Sequence, residues 1–368
     1  MFRGGVGEAM KQVVRKVFGA VALIGLLLGV RAHAAGEEQL QIHFVDVEGG
    51  QATLIVTPER ETLLIDAGWP GEGGYRSLPG DPAKARDPLR IVAAMRDAGV
   101  DRIDYLLVTH FHRDHMGGVP ELAQLVPIGT FFDYGAAYSR EDRPGSEEID
   151  DLDVAAFEAY SRVRSKGKHL QPKPGEQLPL EGVRVTVVSA DRDTLREPLP
   201  GAGRENMTCN PVRPSAPHPD DENVRSVGIV LEFGEFRFLD VGDLNGQLLY
   251  DLVCPRDLIG EVDVYLVAHH GNAGASDPAT IAAFKPRVAV VNNAPRKGGR
   301  TPTLQMLQQA SGVESWQLHV SEEAGEYNAH AERIANLDEA PAHWLKVVAR
   351  KDGGFAVINP RTGVRKEY

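Results

Sequence analysis

The chain has 368 residues, 42% hydrophobic, 25% charged and 7% aromatic, a balance that excludes a disordered or fibrous protein and describes a globular one. Its formal net charge of −12 makes long nucleic acid a poor partner, because a field of that sign repels polyanions except where bound cations reverse it. Thirty-nine glycines and 24 prolines imply many turns between short elements.

Residues 1–34 read as a signal peptide: Lys11, Arg15 and Lys16 precede an apolar run over 17–30, and Ala32-His33-Ala34 offers an A-x-A cleavage pattern. The apolar run is shorter than the about 20 residues a spanning helix needs, and no later stretch could span a bilayer. The expected location is therefore periplasmic or secreted, with no membrane span after cleavage. Removing the peptide takes away five basic residues and one acid, so −12 becomes −16.

Strands are predicted over 41–47, 52–56 and 62–68, from β-branched and apolar runs bounded by turn residues. A helix over 88–98 closes at Gly99 and leads to an apolar strand over 105–109. Further helices are predicted over 151–164, 247–253, 278–284 and 303–310. From 226 the pattern restarts. Strands over 226–233 and 236–243 flank the turn Gly234-Glu235, and Leu63-Leu64-Ile65-Asp66-Ala67-Gly68 lines up with Phe238-Leu239-Asp240-Val241-Gly242. Each copy then runs through a strand that ends in histidine, His110 in one and His269 in the other, so two facing sheets are expected. Strands over 343–349 and 355–359 form a terminal hairpin. Residues 35–312 are read as the main domain and 313–368 as a β-rich extension packed on it.

The two cysteines, Cys209 and Cys254, are expected to form a disulfide if the chain is exported.

His110, His112, Asp114 and His115 place four ligand-capable side chains within six positions, just after a buried strand and before Gly117-Gly118. Residues two apart in extended backbone point the same way, so His110 and His112 can share one ion while the next turn swings Asp114 and His115 towards a second. This H-x-H-x-D-H run resembles the signature of the metallo-β-lactamase superfamily. The resemblance implies a four-layer αββα sandwich, an α/β fold with the C-terminal hairpin as an addition. It also implies a bridging aspartate, which falls on Asp243, and a last ligand at His269 or His270, the other of the pair contacting substrate or donating a proton. Asp66 and Asp240 are read as residues that support ligands, and His218 as a weak candidate for a third histidine in the first subsite.

The strings Phe44-Val45-Asp46-Val47-Glu48-Gly49-Gly50-Gln51, Ser226 to Asp243 and His269-His270-Gly271 are similar to the hydrolase domain of ComEC-type competence proteins. That branch implies a phosphodiesterase using one or two Zn2+ ions, with Mn2+ or Fe as alternatives, and a metal-activated water directed by Asp114 and Asp243. Arg296 and Lys297, on a glycine-rich loop, are candidate phosphate contacts, joined by Asn272 and Tyr134. The expected substrate is a small molecule or a phosphodiester. Two alternatives stay open, a lactonase or β-lactamase with the same metals and a non-catalytic binding protein with a vestigial site. The sequence leaves the oligomeric state open.

Overall fold

Strand alternation explains how the second sheet comes to lie between the first sheet and a layer of helices. In the computed structural model, which describes residues 38–135, 138, 150–216, 218, 221–275, 277–338 and 342–368, residues 39–368 form one unit. The segment predicted to be a signal peptide, residues 1–34, lies outside the described residues.

The first half runs β1 (Leu40–Phe44), β2 (Thr53–Val56), β3 (Thr62–Ile65), α1 (Arg86–Ala98), β4 (Ile103–Leu107), α2 (Arg113–Met116), α3 (Val119–Leu125), β5 (Ile128–Phe132), α4 (Asp151–Arg164) and β6 (Lys168–Leu170). The second half begins with β7 (Gln177–Leu178), β8 (Arg184–Ala190), β9 (Asp193–Thr194), β10 (Gly228–Phe233), β11 (Phe236–Asp240), α5 (Gly246–Asp251) and β12 (Val264–Leu266). It continues through α6 (Pro278–Phe284), β13 (Val288–Val291), α7 (Thr301–Gln309), β14 (Glu314–His319) and β15 (Ile334–Asn336), and ends with β16 (Leu345–Ala349), β17 (Phe355–Asn359) and β18 (Val364–Glu367).

These strands make two nine-stranded sheets. The first has the order β18-β17-β16-β1-β2-β3-β4-β5-β6, and the second β15-β14-β13-β12-β11-β10-β8-β7 with β9 on β8. Ile229, Leu231, Phe238, Val264, Leu266, Val288 and Val290 point into the core shared with the first sheet. Their neighbours Val230, Leu239, Tyr265, Ala289 and Val291 point the other way, against Leu249, Ile281, Phe284, Leu304 and Leu307 of α5, α6 and α7. A period of two therefore builds two apolar layers from one sheet. Phe44 meets Phe238 edge-on at 5.8 Å across the inter-sheet core.

The internal repeat is real in three dimensions. β2 pairs antiparallel with β3 and β3 parallel with β4, while β10 pairs antiparallel with β11 and β11 parallel with β12. Several predicted strands overrun what is observed: β3 stops at Ile65, β4 at Leu107 and β11 at Asp240. Beyond these points the chain leaves the ladder through turns with Asp66 at φ 59° and Gly242 at φ 55°, and those turns carry the site. The helix over 151–164 is capped by Asp150, whose carboxylate accepts the Leu152 amide, and that over 278–284 by Asp277, which accepts the Thr280 amide at 2.8 Å.

The C-terminal segment feeds both sheets. β14 and β15 extend the second, whereas the hairpin of β16 and β17 joins the first through antiparallel pairing of β16 with β1. Cys209 and Cys254 form a disulfide. Among the described residues no helix is long and apolar enough to cross a membrane.

Candidate metal centre

The tips of β4, β11 and β12 lie at one edge of the sandwich, and the loops leaving them converge. His110 follows β4, Asp243 follows β11, and His269 and His270 follow β12. The turn after β11 is tight because Gly242 sits against Thr109: a Cβ there would lie 2.9 Å from the Thr109 Cβ. His269 and His270 take φ of 50° and 55°, a left-handed backbone that non-glycine residues adopt only under constraint. The constraint is visible. The His269 amide donates to the Gly242 carbonyl at 3.0 Å, and the His270 carbonyl accepts the Gly299 amide at 2.8 Å.

One carboxylate oxygen lies at the centre of the cluster. Asp243 Oδ2 is 3.3 Å from His115 Nε2, 3.3 Å from His270 Nε2, 3.6 Å from His269 Nε2 and 3.9 Å from His110 Nε2. Asp114 Oδ2 completes the group at 3.5 Å from His115 Nε2 and 3.3 Å from His270 Nε2, and those two imidazole nitrogens are themselves 3.3 Å apart. Such separations are the edges of a tetrahedron whose centre lies about 2 Å from each corner, the reach of zinc to nitrogen and oxygen donors. Asp114, His115, Asp243 and His270 are all buried and their donor atoms lie within 4.8 Å of one another. Asp243 Oδ1 and His270 Nδ1 are buried without a hydrogen-bond partner. A cage of donors that leaves a carboxylate oxygen unsatisfied fits a cation.

A second group adjoins it. His110 Nε2 faces His112 Nδ1 at 2.9 Å, with Asp243 shared between the two groups. Burial, with His115 and His112 nearby, holds the His110 imidazole well below its ordinary pKa, so it stays a neutral donor. Burial also opposes charge on His115, but Asp243, Asp114 and Asp66 outweigh it and push that imidazole well above its ordinary range. Burial works against ionised Asp114 too, and Lys297 and His115 overcome it, holding that carboxyl well below the usual carboxylate range.

The supports behind these ligands are equally specific. Asp66 Oδ2 accepts the Nδ1 proton of His115 at 2.7 Å, which leaves Nε2 to face the cage. The Thr109 hydroxyl donates to Asp66 Oδ2 at 2.8 Å and lies 3.1 Å from His110 Nδ1, and the Thr109 amide donates to Asp66 Oδ1 at 2.7 Å. Asp240 accepts both Gln51 Nε2, at 3.0 and 3.1 Å, and the Gly242 amide at 2.9 Å. Asp66 and Asp240 thus support the site from behind.

Burial pushes the Asp240 carboxyl up to about 7 against the Gly242 and Gln51 donors. The folded chain keeps that proton to about pH 7, whereas an unfolded aspartate loses it near 3.9, so stability falls as pH rises between them. Asp240→Asn keeps an acceptor for Gly242 and carries no charge. In chelator-treated protein the variant is expected to flatten the stability loss between pH 4 and 7, by about 4 kcal/mol at most, read by urea denaturation across that range. A variant with the parent's pH slope would remove Asp240 as the cause.

The four predicted substrate residues fare differently. Lys297 reaches the cage: its ammonium contacts Asp114 Oδ2, donates to the Gly49 carbonyl at 2.6 Å and lies 4.8 Å from the Trp69 ring centroid. It arrives there because the 292–300 loop packs on the His270 turn, where a Cβ on Gly298 would come 2.2 Å from the His270 carbonyl oxygen. Arg296 is corrected. Its side chain is 85% exposed and pairs with Glu322 at 2.9 Å, since adjacent residues on the loop point apart. Tyr134 is also corrected: it is buried behind the signature, its hydroxyl donating to Glu222 Oε1 at 2.5 Å. Asn272 is half-buried beside the histidine turn, its amide donating to the His269 carbonyl at 2.8 Å. His218 is exposed, with Arg192 donating to its carbonyl, and is not one of the cage groups.

Residues 45–291 match the model of the Metallo-beta-lactamase superfamily. The chain belongs to that superfamily. Its donor cage is a candidate metal site on that fold. It is 32% identical over 108 residues to the lactamase-like protein aptB of Emericella nidulans, covering 29% of this chain and 28% of that one. It is 37% identical over 78 residues to the atrochrysone carboxyl ACP thioesterase of Passalora fulva, covering 21% and 19%. The chain thus spans less than a third of these curated relatives. Among solved structures it is similar to the metallo-beta-lactamase fold protein YhfI from Bacillus subtilis, with 11% identity, a TM-score of 0.39 and coverage of 76% of this chain and 96% of that one.

Sequence reasoning passed over Gln51, Thr109, Arg113 and Glu222. Thr109 could have been found as the residue that ends the strand before His110, but Glu222 lies in an acidic, proline-rich stretch with no pattern to mark it.

Proposed function

We propose that the protein is an exported phosphodiesterase of the ComEC-like branch, with Lys297 taking one anionic oxygen of the substrate at the rim of the cage. The observation that carries this reading is the Lys297 ammonium at the edge of the donor set, in contact with Asp114. Asp114, His115, His270 and Asp243 would hold one divalent ion, and His110, His112 and Asp243 a second. Zinc suits this mixture of imidazole and carboxylate, with manganese or iron as alternatives. When bound, such ions supply a Lewis acid and a water acidified enough to attack near neutral pH.

The chain's own residues do the rest. Asp243, shared by both groups, orients the attacking water. Trp69, 6% exposed, lies beneath the Lys297 ammonium and covers one side of it, leaving the other side to meet an anion. His269 Nε2 stands at the rim with its side chain 25% exposed, in position to hand a proton to the departing oxygen. Export is supported by the pattern over residues 1–34 and by the disulfide, which persists in oxidising compartments.

A second reading, hydrolysis of an acyl ester, lactone or β-lactam, is favoured by the two curated relatives, one a thioesterase and the other lactamase-like. A panel of bis-p-nitrophenyl phosphate, p-nitrophenyl phosphorylcholine, a homoserine lactone and nitrocefin separates the two. Turnover of the phosphodiesters is the expected result, and turnover of only the lactone and nitrocefin would overturn it. At saturating metal, Lys297→Ala is expected to raise KM for the phosphodiester by about 10-fold or more, the worth of one hydrogen bond to a charged group. Arg296→Ala should leave KM unchanged. An unaltered KM in the Lys297 variant would remove that residue from substrate binding.

A further inference from the structure

Of the two main-chain amides between His110 and His112, that of Phe111 donates to a buried carboxylate from a distant part of the chain. Glu222 Oε1 lies 2.9 Å from the Phe111 nitrogen, 111 residues away in sequence, and the same oxygen accepts the Tyr134 hydroxyl at 2.5 Å. Glu222 is 3% exposed, so this is a costly place for a carboxylate unless its acceptors are used. The Phe111 ring locks the other side of the same residue, packed at 4.3 Å from Tyr134 and 4.7 Å from Phe157. One residue further on, the Arg113 amide donates to Asp153 Oδ1 at 3.1 Å, an aspartate on α4 that also pairs with the Arg113 side chain at 3.0 Å. The amides on both flanks of His112 are therefore gripped by buried acids.

We infer that Glu222 is a positioning residue for the metal centre: by holding the Phe111 amide it fixes how His110 and His112 diverge from the strand tip, so that Nε2 of one and Nδ1 of the other converge. The convergence is the 2.9 Å approach of those two nitrogens. His110 lies past the end of β4 and His112 precedes a helical turn, so the backbone between them belongs to neither element and is held by the Glu222 acceptor together with the packing of the Phe111 ring. Rotation there would swing the His112 ring away from His110, while the His112 carbonyl stays tied to the following turn by the His115 and Met116 amides. Glu222 therefore bears most directly on the subsite built by His110 and His112. Tyr134 acts through it, its hydroxyl holding the carboxylate while its ring packs on Phe111.

The inference rests on reading His110 and His112 as ligands, and the test keeps the two apart. Metal-free full-length protein is titrated with Zn2+ against a chromophoric chelator, and with Co2+ while its visible absorption is recorded. The parent should take up ions in two steps, and a parent that binds none in the His110 and His112 subsite overturns both the ligand reading and this inference. Glu222→Ala is expected to weaken the step assigned to that subsite by about 10- to 100-fold, the usual effect of removing a group that orients a ligand, and to alter its Co2+ spectrum. The other step should stay within about threefold of the parent, well below that range. Glu222→Gln retains the accepting oxygen and should restore both constants, whereas a requirement for charge alone would leave it as impaired as the alanine variant and would overturn the inference. Tyr134→Phe, the mildest of the changes, should shift the same step in the same direction. Lowered thermal stability in Glu222→Ala with both Zn2+ constants and the Co2+ spectrum unchanged would assign Glu222 to the fold alone.

Discussion

Asp243→Ala is expected to abolish turnover, with kcat/KM down by at least about 1000-fold, a barrier increase of about 4 kcal/mol. Asp243 Oδ2 lies within 3.9 Å of four imidazole nitrogens from two separate stretches of chain, so its loss removes the carboxylate shared by both groups of donors. The effect should exceed that of removing any single histidine, because each imidazole serves one group and Asp243 serves both. Asp243→Asn keeps the shape without the charge and should fall nearly as far. Elemental analysis beside kinetics checks the cause: metal content should drop along with activity, and a variant that retained full metal and full activity would remove Asp243 from the centre.

The second large effect separates two adjacent histidines. His270→Ala should cut metal affinity by well over 10-fold, because His270 is buried, stands 3.3 Å from Asp114, Asp243 and His115, and forms a corner of the tetrahedron. His269→Ala should keep its metal and lose kcat. His269 is half-buried, 3.6 Å from Asp243, with its Nδ1 3.3 Å from Asn245 Nδ2, a place at the rim from which to meet substrate. The chemical difference can be read in one experiment. Equilibrium dialysis against Zn2+ should give parent-like binding for His269→Ala and weakened binding for His270→Ala; the reverse order would exchange the two roles.

Much of this was legible before the structure. The run from His110 to His115 announces its chemistry through spacing, because ligand types two and three residues apart at a strand tip have few other uses. The repeat of Leu63–Gly68 in Phe238–Gly242 foretold two facing sheets, while the matching antiparallel and parallel pairings within them are visible only in the structure. Sequence left His269 and His270 undecided, because both sit at the same strand tip and only the left-handed backbone there, with its particular hydrogen bonds, turns one ring inward. It also placed Arg296 and Lys297 together as anion contacts, although loop neighbours diverge and only Lys297 reaches the cage. Tyr134 was misread for a related reason: an aromatic hydroxyl can face a pocket or a buried acid, and its partner Glu222 lies 88 residues away. Strands such as β14, Glu-Ser-Trp-Gln-Leu-His, carry too many polar residues to show an apolar pattern, and are held by pairing with β13.

The central claim is that imidazoles and carboxylates from residues 110–115 and 243–270 enclose divalent ions. Crystals of the zinc-supplemented full-length protein, measured on both sides of the zinc absorption edge, test it most directly. The account predicts an anomalous peak about 2 Å from donor atoms of Asp114, His115, Asp243 and His270, and a second against His110 and His112. Density with no peak inside that ring of side chains, in protein that also carries no stoichiometric metal by elemental analysis, would contradict it.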